Sequence, residues 1–202
     1  MKLIFILPFL ALIPFQNKLN KPPAANRILV YIIKPSASMF EWTGMKTLGQ
    51  HSGNISVSSG ELKYDNGIIK SGKITVDMNS ITCTDIHDHS DNQKLISHLK
   101  NEDFFNTKEF PQAMFDLTGP SKKISIDSIQ VKGILTIKGI KNELIINLAM
   151  RQQESILQLN GVAHIDRTKY GIRYKSKTFF PDLGDKFIYD VFDLRLIITA
   201  AK

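Results

Sequence analysis

Residue types that bind metals or transfer protons are concentrated between residues 85 and 98 of this 202-residue chain. The acids and histidines of this stretch are Asp85, His87, Asp88, His89, Asp91 and His98. Such side chains coordinate zinc and other divalent ions, so a metal-assisted hydrolase that uses His87, His89 and His98 is one hypothesis. The spacing argues against it, because His87 and His89 share a face only in an extended strand, whereas His98 falls in a predicted helix. We therefore expect solvated loop and helix-start positions here and predict no metal site.

Cys83 is the one cysteine of the chain and the local candidate for a nucleophile. Nucleophilic catalysis needs a base beside the nucleophile and a third group that orients the base, and His87 or His89 would have to be that base. The sequence around them has no glycine elbow or oxyanion-hole motif. A lone thiol at the end of a strand is commonly a small buried apolar group. We expect that role for Cys83 and predict no catalytic residue.

Aromatic side chains indicate a different chemistry, the binding of apolar groups. Four phenylalanines lie within 12 residues of one another, namely Phe104, Phe105, Phe110 and Phe115. Phe40 and Trp42 share one face of a predicted strand, and Trp42 is the single tryptophan of the sequence. Broad apolar side chains of this kind contact a lipid tail as readily as they fill a core. The pattern leaves both interpretations open.

Residues 166–177, DRTKYGIRYKSK, form a basic segment with two tyrosines. Its cations are Arg167, Lys169, Arg173, Lys175 and Lys177. Such a segment could face an anionic head group or an anionic membrane surface, or it could be a solvated hairpin. Nucleic acid is not the predicted partner. The formal net charge is +7, but residues 1–25 contain three lysines and no acidic residue. A chain without that stretch therefore carries a net charge of +4, which is modest for a nucleic-acid-binding protein.

The elements that must position these residues are mostly strands, because apolar side chains alternate along much of the chain. Eight strands are predicted near residues 28–33, 36–43, 51–58, 61–80, 113–119, 124–139, 143–165 and 185–200, with a break in the seventh near Gln152–Ser155. Reversals are predicted at Asp65-Asn66-Gly67, at Ser58-Ser59-Gly60 and at Lys138-Gly139 followed by Lys141-Asn142, since these residues favour turns. Long strands of this number favour a closed antiparallel barrel, whose interior holds side chains or one small ligand.

One stretch departs from the alternation. Ser90 and Gln93 have the spacing of a capping box, and apolar residues then recur at helical spacing, which predicts a helix at about 91–100. A second short turn is expected at Asp103-Phe104-Phe105. This helical insertion near residues 90–106 would lie over one end of the barrel as a plug or lid.

The N-terminal residues predict export. Lys2 precedes an apolar run from Leu3 to Phe15, which two prolines interrupt and which is too short for a comfortable membrane span. We interpret residues 1–25 as a signal peptide with an uncertain cleavage site, and retention of this stretch as an anchor is the alternative. The remaining residues, 26–202, then form one domain that is periplasmic or secreted.

Several motifs resemble one known family. They are His98-Leu99, Asp103-Phe104-Phe105-Asn106, Phe110-Pro111-Gln112-Ala113-Met114-Phe115, Gly133-Ile134-Leu135-Thr136-Ile137-Lys138-Gly139, and Asp166-Arg167 followed by Tyr170-Gly171-Ile172. In this spacing they resemble the YceI-like family, over about residues 27–200. The resemblance implies an extended lipocalin-like barrel with an apolar tunnel for an isoprenoid or fatty amphiphile. The segment after Gly171 lacks the longer glycine-containing loop expected there, which suggests a narrower mouth.

The resemblance and the strand alternation together predict which residues line the tunnel. These are Phe40, Trp42, Val76, Met78, Phe104, Phe105, Phe110, Phe115, Leu135, Leu148, Met150 and Phe192. The candidate head-group contacts are Arg167, Lys169 and Arg173. The predicted function is that of an exported carrier that sequesters a long-chain amphiphile without catalysis and with no cofactor beyond a bound lipid. The alternatives are the metal-assisted hydrolase and a fully packed structural or stress-related envelope protein.

Overall fold

The computed structural model describes residues 28–202, which form ten strands and one α-helix. The strands are β1 (Leu29–Ile33), β2 (Met39–Lys46), β3 (Gly49–Asp65), β4 (Ile68–Asp77), β5 (Gln112–Leu117), β6 (Lys122–Ser125), β7 (Ser128–Ile137), β8 (Ile140–Gln153), β9 (Ile156–Asp166) and β10 (Val191–Ala201). The helix α1 spans His89–Lys100. The predicted signal peptide, residues 1–25, lies outside the described residues.

Eight strand positions close into an antiparallel barrel. Neighbouring strands pair in the order β2-β3-β4-β5-β7-β8-β9-β10, and β10 pairs back with β2. β1 also pairs with β3 and β10, further along the same edge that β2 occupies, so β1 and β2 share one position in the barrel. A 3-10 turn at Pro35–Ala37 separates them. The predicted all-β, eight-stranded, lipocalin-like antiparallel barrel with a short helical insertion is confirmed.

Two of the predicted reversals are correct. Asn66 and Gly67 have φ angles of 47° and 85°, and Lys138 and Gly139 have φ angles of 51° and 72°. Two consecutive residues with positive φ are what a tight turn between antiparallel strands requires, because its twist then matches that of the strands. These turns join β3 to β4 and β7 to β8.

The predicted reversal at Ser58-Ser59-Gly60 is wrong. β3 continues through this stretch from Gly49 to Asp65, with a β-bulge between Val57 and Ser59. Gly60 is needed there for space and not for a turn, since a Cβ at this position would collide with the Ile33 side chain and the Lys73 carbonyl. The residues predicted as two strands, 51–58 and 61–80, therefore belong mainly to β3 and β4, which the tight turn at Asn66-Gly67 joins.

The helix and its N-cap begin two residues earlier than predicted. Asp88 is the N-cap residue, and its carboxylate accepts a hydrogen bond of 2.9 Å from the Asp91 backbone N–H. Ser90 lies within the helix. An aspartate cap also places a negative charge at the positive end of the helix dipole. No helix among residues 28–202 is long and apolar enough to cross a membrane.

The two ends of the barrel differ. The end that carries α1, here called the helix end, also carries the β2–β3 turn, the β7–β8 turn and the segment 167–190. At the opposite end the Tyr64 hydroxyl donates to Gln152 Oε1 at 2.6 Å, and Gln152 Nε2 contacts the Tyr31 hydroxyl at 3.3 Å. The two tyrosine rings meet edge to face at 5.7 Å. These contacts close that end of the core.

Candidate functional site

Two adjoining apolar cavities lie inside the barrel. The upper cavity, beneath α1, has a volume of about 170 Å³, and the lower cavity, deeper in the barrel, has about 70 Å³. Five residues line both cavities and therefore form the neck between them, namely Val76, Ala113, Leu135, Ile165 and Leu194. The barrel interior is not filled by its own side chains, which argues against a fully packed structural protein.

Strand geometry explains why the cavities follow the barrel axis. Alternate residues of a strand point inward and lie at successive depths. Along β10, Phe192 lines the upper cavity, Leu194 lines the neck and Leu196 lines the lower cavity. Along β4 the order is reversed, because the strand is antiparallel, with Ile74 at the lower cavity and Val76 at the neck. The two cavities thus lie in line from the helix end into the core, separated by the neck residues, and this line is here called the path.

Most of the predicted tunnel residues line this path. At the upper cavity are Trp42, Val76, Met78, Phe104, Phe105, Leu135 and Phe192, and at the lower cavity are Phe40, Phe115 and Leu148 together with the neck residues. Phe110 and Met150 line neither cavity. Phe110 packs against Gly139 in the β7–β8 turn, and Met150 is a half-buried residue at the edge of the core.

Trp42 is held in a fixed orientation at the upper cavity. Its indole N–H donates a hydrogen bond of 3.0 Å to the Thr82 carbonyl. Gly53 pairs with Trp42 across β2 and β3, and a Cβ on Gly53 would collide with both the Thr82 carbonyl and the indole ring. The absence of a side chain at Gly53 therefore allows the tryptophan and the segment after β4 to meet.

Aromatic rings cover the helix end. His98 meets Phe104 at 4.9 Å and Tyr174 at 4.5 Å between ring centroids, both edge to face. Phe105 meets Phe192 of β10 at 6.3 Å. Edge-to-face contacts of this kind contribute about 0.5–1.5 kcal/mol each beyond their buried area. They connect the loop after α1 with the segment 167–190 and with the barrel wall.

The three candidate head-group residues occupy different environments. Arg167 is buried, with 4% of its surface exposed, and it lines the upper cavity. Lys169 and Arg173 are exposed, and the Arg173 guanidinium lies 4.6 Å over the Phe179 ring. The basic segment is therefore divided between one internal cation and a set of surface cations at the helix end.

Arg167 anchors the segment 167–190. Its guanidinium donates hydrogen bonds to the carbonyls of Ile172, Ile188 and Tyr189 at 3.0–3.1 Å, and it contacts the Asp190 carboxylate at 3.3 Å. Burial lowers the pKa of Arg167, and the nearby carboxylates of Asp190 and Asp166 oppose that shift. The side chain thus fixes the segment 167–190, which forms one wall of the upper cavity at the helix end through Ile172, Ile188 and Tyr189. The helix end of this cavity is here called the mouth.

A polar chain at the mouth was missed by the sequence analysis. Lys46 Nζ lies 3.0 Å from His51 Nε2, and His51 Nδ1 lies 2.8 Å from Asp85 Oδ2. Asp85 also accepts a hydrogen bond of 2.9 Å from the Ser52 N–H. Burial acts to raise the pKa of Asp85, but the Ser52 N–H, His51 and Cys83 outweigh it, so the pKa lies below its usual value. The sequence separates these residues by up to 39 positions, and strand pairing brings them together.

The histidines and the cysteine of the 83–98 stretch do not form a reactive cluster. His87 and His89 are exposed, and His98 contacts Asp103 at 3.3 Å. Within residues 28–202, no three His, Cys, Asp or Glu side chains are arranged to hold a metal ion. The Cys83 thiol is buried and lies 3.3 Å from Asp85, and burial raises its pKa, which disfavours the reactive thiolate.

Tyr170 is a buried residue of the segment 167–190, and its ionisation is expected to lower the stability of the protein at alkaline pH. Burial, with a further contribution from Asp166, raises its pKa to about 12 from 10.0. Its phenol is neutral in both states below pH 10, and above pH 10 the unfolded chain loses this proton first. We therefore expect the free energy of unfolding to fall by about 2–3 kcal/mol between pH 10 and 12.

Denaturant unfolding of wild type and Tyr170→Phe across pH 9–12 measures this effect. The substitution is expected to flatten the decline, whereas Tyr189→Phe, at an exposed position, leaves it as in the wild type. An unchanged pH dependence in Tyr170→Phe would contradict the assignment.

The fold has counterparts among solved structures. BcnA of Burkholderia cenocepacia superposes with a TM-score of 0.67, at 19% identity, over 83% of this chain and 98% of BcnA. A polyisoprenoid binding domain from Saccharophagus degradans superposes with a TM-score of 0.60, at 13% identity, over 87% of this chain and 99% of that domain. At these identities the likeness establishes the barrel fold and no more.

Sequence comparison adds the family. A UPF0312 protein of Shewanella baltica is 30% identical over 95 residues, which are 47% of this chain and 47% of that protein. The chain thus matches about half the length of its curated relatives. The YceI-like domain matches residues 31–200, which include the strands that close the barrel, except for the last residue of β10, and every residue that lines the two cavities. On this match, the chain belongs to the YceI-like domain family.

Proposed function

We propose that this protein is an exported carrier that holds the apolar tail of an isoprenoid or fatty amphiphile inside its barrel and performs no chemical step. The observation that carries the proposal is the pair of apolar cavities that run along the barrel axis beneath α1. The relative from Saccharophagus degradans is described as a polyisoprenoid binding domain, which supports the same ligand class. Export rests on the interpretation of residues 1–25 as a signal peptide.

Burial of a tail in such a path supplies the affinity. Each CH₂ group removed from water contributes about 0.8 kcal/mol, so ten buried carbons contribute about 8 kcal/mol before the cost of ordering the chain. An apolar cavity of about 150 Å³ accommodates a benzene-sized guest. The upper cavity, at about 170 Å³, is of that size, so a longer tail requires the side chains around the neck or the lid to move.

The lid most suited to move is α1. None of its residues is buried, and Leu95 and Leu99 are the residues of the helix that line the upper cavity. Polar contacts hold its two ends: the Asn92 side chain donates to the Cys83 and Ile86 carbonyls, and Lys100 donates to the Asn79 carbonyl. An element with little buried apolar surface opens at low cost, which is what ligand entry needs. Lys169 and Arg173, exposed at the same end, would meet an anionic membrane surface.

Organic extraction of natively purified protein tests the proposal. We expect mass spectrometry of the extract to detect a long-chain lipid, and delipidated protein to show a change in Trp42 fluorescence when geranylgeraniol is added. Trp42 is the single tryptophan of the chain, so its signal reports on the upper cavity. Empty extracts combined with no response to geranylgeraniol or to palmitate would contradict the proposal.

Export is tested separately, by the N-terminus of the purified protein. We expect a mature chain that begins close to residue 26, measured by intact mass on protein recovered from an envelope fraction. An uncut chain that begins at Met1 would contradict the signal-peptide interpretation without bearing on lipid binding.

A further inference from the structure

Three basic residues line the upper cavity, and no carboxylate of the described residues does. The three are Lys46, His51 and Arg167, and apart from them and Tyr189 the lining residues are apolar. The carboxylates that compensate these side chains lie behind them: Asp85 contacts the far nitrogen of His51, and Asp190 contacts Arg167. An anionic head group at the rim of the cavity, where the exposed Lys46 ammonium lies beside His51, would therefore meet a positive charge and no carboxylate of the cavity lining.

The hydrogen-bond network fixes the roles of the individual groups. Asp85 accepts from Ser52 and lies 2.8 Å from His51 Nδ1, which assigns the His51 proton to Nδ1. His51 Nε2 then accepts from Lys46, 3.0 Å away. An ammonium has three donors, so Lys46 retains two that His51 does not use.

Lys46 is held at the mouth by the chain around it. It forms a β-bridge with Ile188, and the Tyr189 N–H donates a hydrogen bond of 2.9 Å to the Met45 carbonyl. The hairpin of β2 and β3 is thereby joined to the segment that Arg167 anchors, so the three basic side chains belong to one connected wall. A preformed arrangement of donors loses less entropy on binding than a flexible one.

We propose that Lys46 and His51 form a head-group site that selects amphiphiles with an anionic head, whether a phosphate or a carboxylate. This inference rests on the proposed function, since it concerns the head of the molecule whose tail the barrel holds. The site lies at the rim of the upper cavity, which Lys46 and His51 line and which the sequence-suggested cations Lys169 and Arg173 do not. Charge-assisted hydrogen bonds to anionic oxygens are about twice as strong as neutral ones, which provides the selectivity.

Three probes with the same 20-carbon tail test the site: geranylgeranyl phosphate, geranylgeranoic acid and geranylgeraniol. Trp42 fluorescence at pH 8 gives the dissociation constant of each. In the wild type we expect the phosphate and the carboxylate to bind at least about tenfold more tightly than the alcohol. In Lys46→Gln and His51→Gln this preference is expected to fall to threefold or less, while the affinity for the alcohol stays unchanged.

Lys186→Gln is the matched control, because it removes the same charge from an exposed position of the segment 167–190 that does not line the cavity. It should retain the anion preference. Equal binding of all three probes by the wild type overturns the head-group site and leaves the carrier function standing. A loss of preference in Lys186→Gln as large as in Lys46→Gln also overturns the site, and failure of every probe to bind overturns both proposals. Preference for one anion over the other identifies the head-group type.

Discussion

Arg167→Met is expected to lower the free energy of unfolding by about 3–5 kcal/mol. The substitution leaves the Asp190 carboxylate without its cation and the carbonyls of Ile172, Ile188 and Tyr189 without this donor. The contact with the Ile172 carbonyl is buried and the other three are partly buried, and an acceptor that loses its donor in such a place bears a cost of desolvation with nothing to offset it. A methionine side chain of similar length keeps the apolar packing, so the loss measures the hydrogen bonds and the charge.

Chemical denaturation of the variant against two controls measures the loss. Arg173→Met removes a cation six residues away at an exposed position and is expected to cost less than about 1 kcal/mol. Arg167→Lys should recover only part of the stability, because an ammonium cannot reach carbonyls arranged around a planar guanidinium. A loss below 1 kcal/mol in Arg167→Met would contradict the anchoring role.

The inward-facing residues of the barrel were predictable where apolar and polar side chains alternate along one strand. The apolar alternation of Ile74, Val76 and Met78 predicts one inward face, and all three line the cavities. Glycine was the harder residue to interpret, because it serves both turns and close approaches. Gly67 allows a positive φ, whereas Gly60 makes room for Ile33 from another strand. That second use depends on a pairing partner that local sequence does not contain.

In the candidate site, too, residues indicated by local sequence were predictable, and residues brought together by strand pairing were not. The aromatic residues near 104 and 105 were predictable because family motifs and local clustering indicate them. Lys46, His51 and Asp85 were not grouped, since their proximity arises from the β2–β3 hairpin and from a return of the chain after β4. The backbone of Thr82 and Thr84 pairs with β3 at Asn54 and Ser52, and this pairing brings Asp85 to His51. Charge in the sequence indicated the 166–177 segment instead.

Ala113→Phe is expected to weaken the binding of a 20-carbon prenyl chain by a factor of at least about one hundred. Ala113 lies at the neck between the two cavities, paired with Val76 of β4, and it is 6% exposed. A phenyl ring placed there would occupy the path to the lower cavity. Exclusion of about four tail carbons removes about 3 kcal/mol of burial, which corresponds to more than a hundredfold in the dissociation constant.

The same variant separates a blocked cavity from a damaged fold. The ring enters existing space, so we expect an overpacking cost of no more than about 1–3 kcal/mol and a cooperative unfolding transition. Gln112→Phe adds the same ring to the neighbouring exposed position of β5 and should leave the affinity for geranylgeraniol unchanged. Retained affinity in a folded Ala113→Phe protein would show that the tail does not pass the neck, and would place any bound amphiphile above it, against Trp42 and α1.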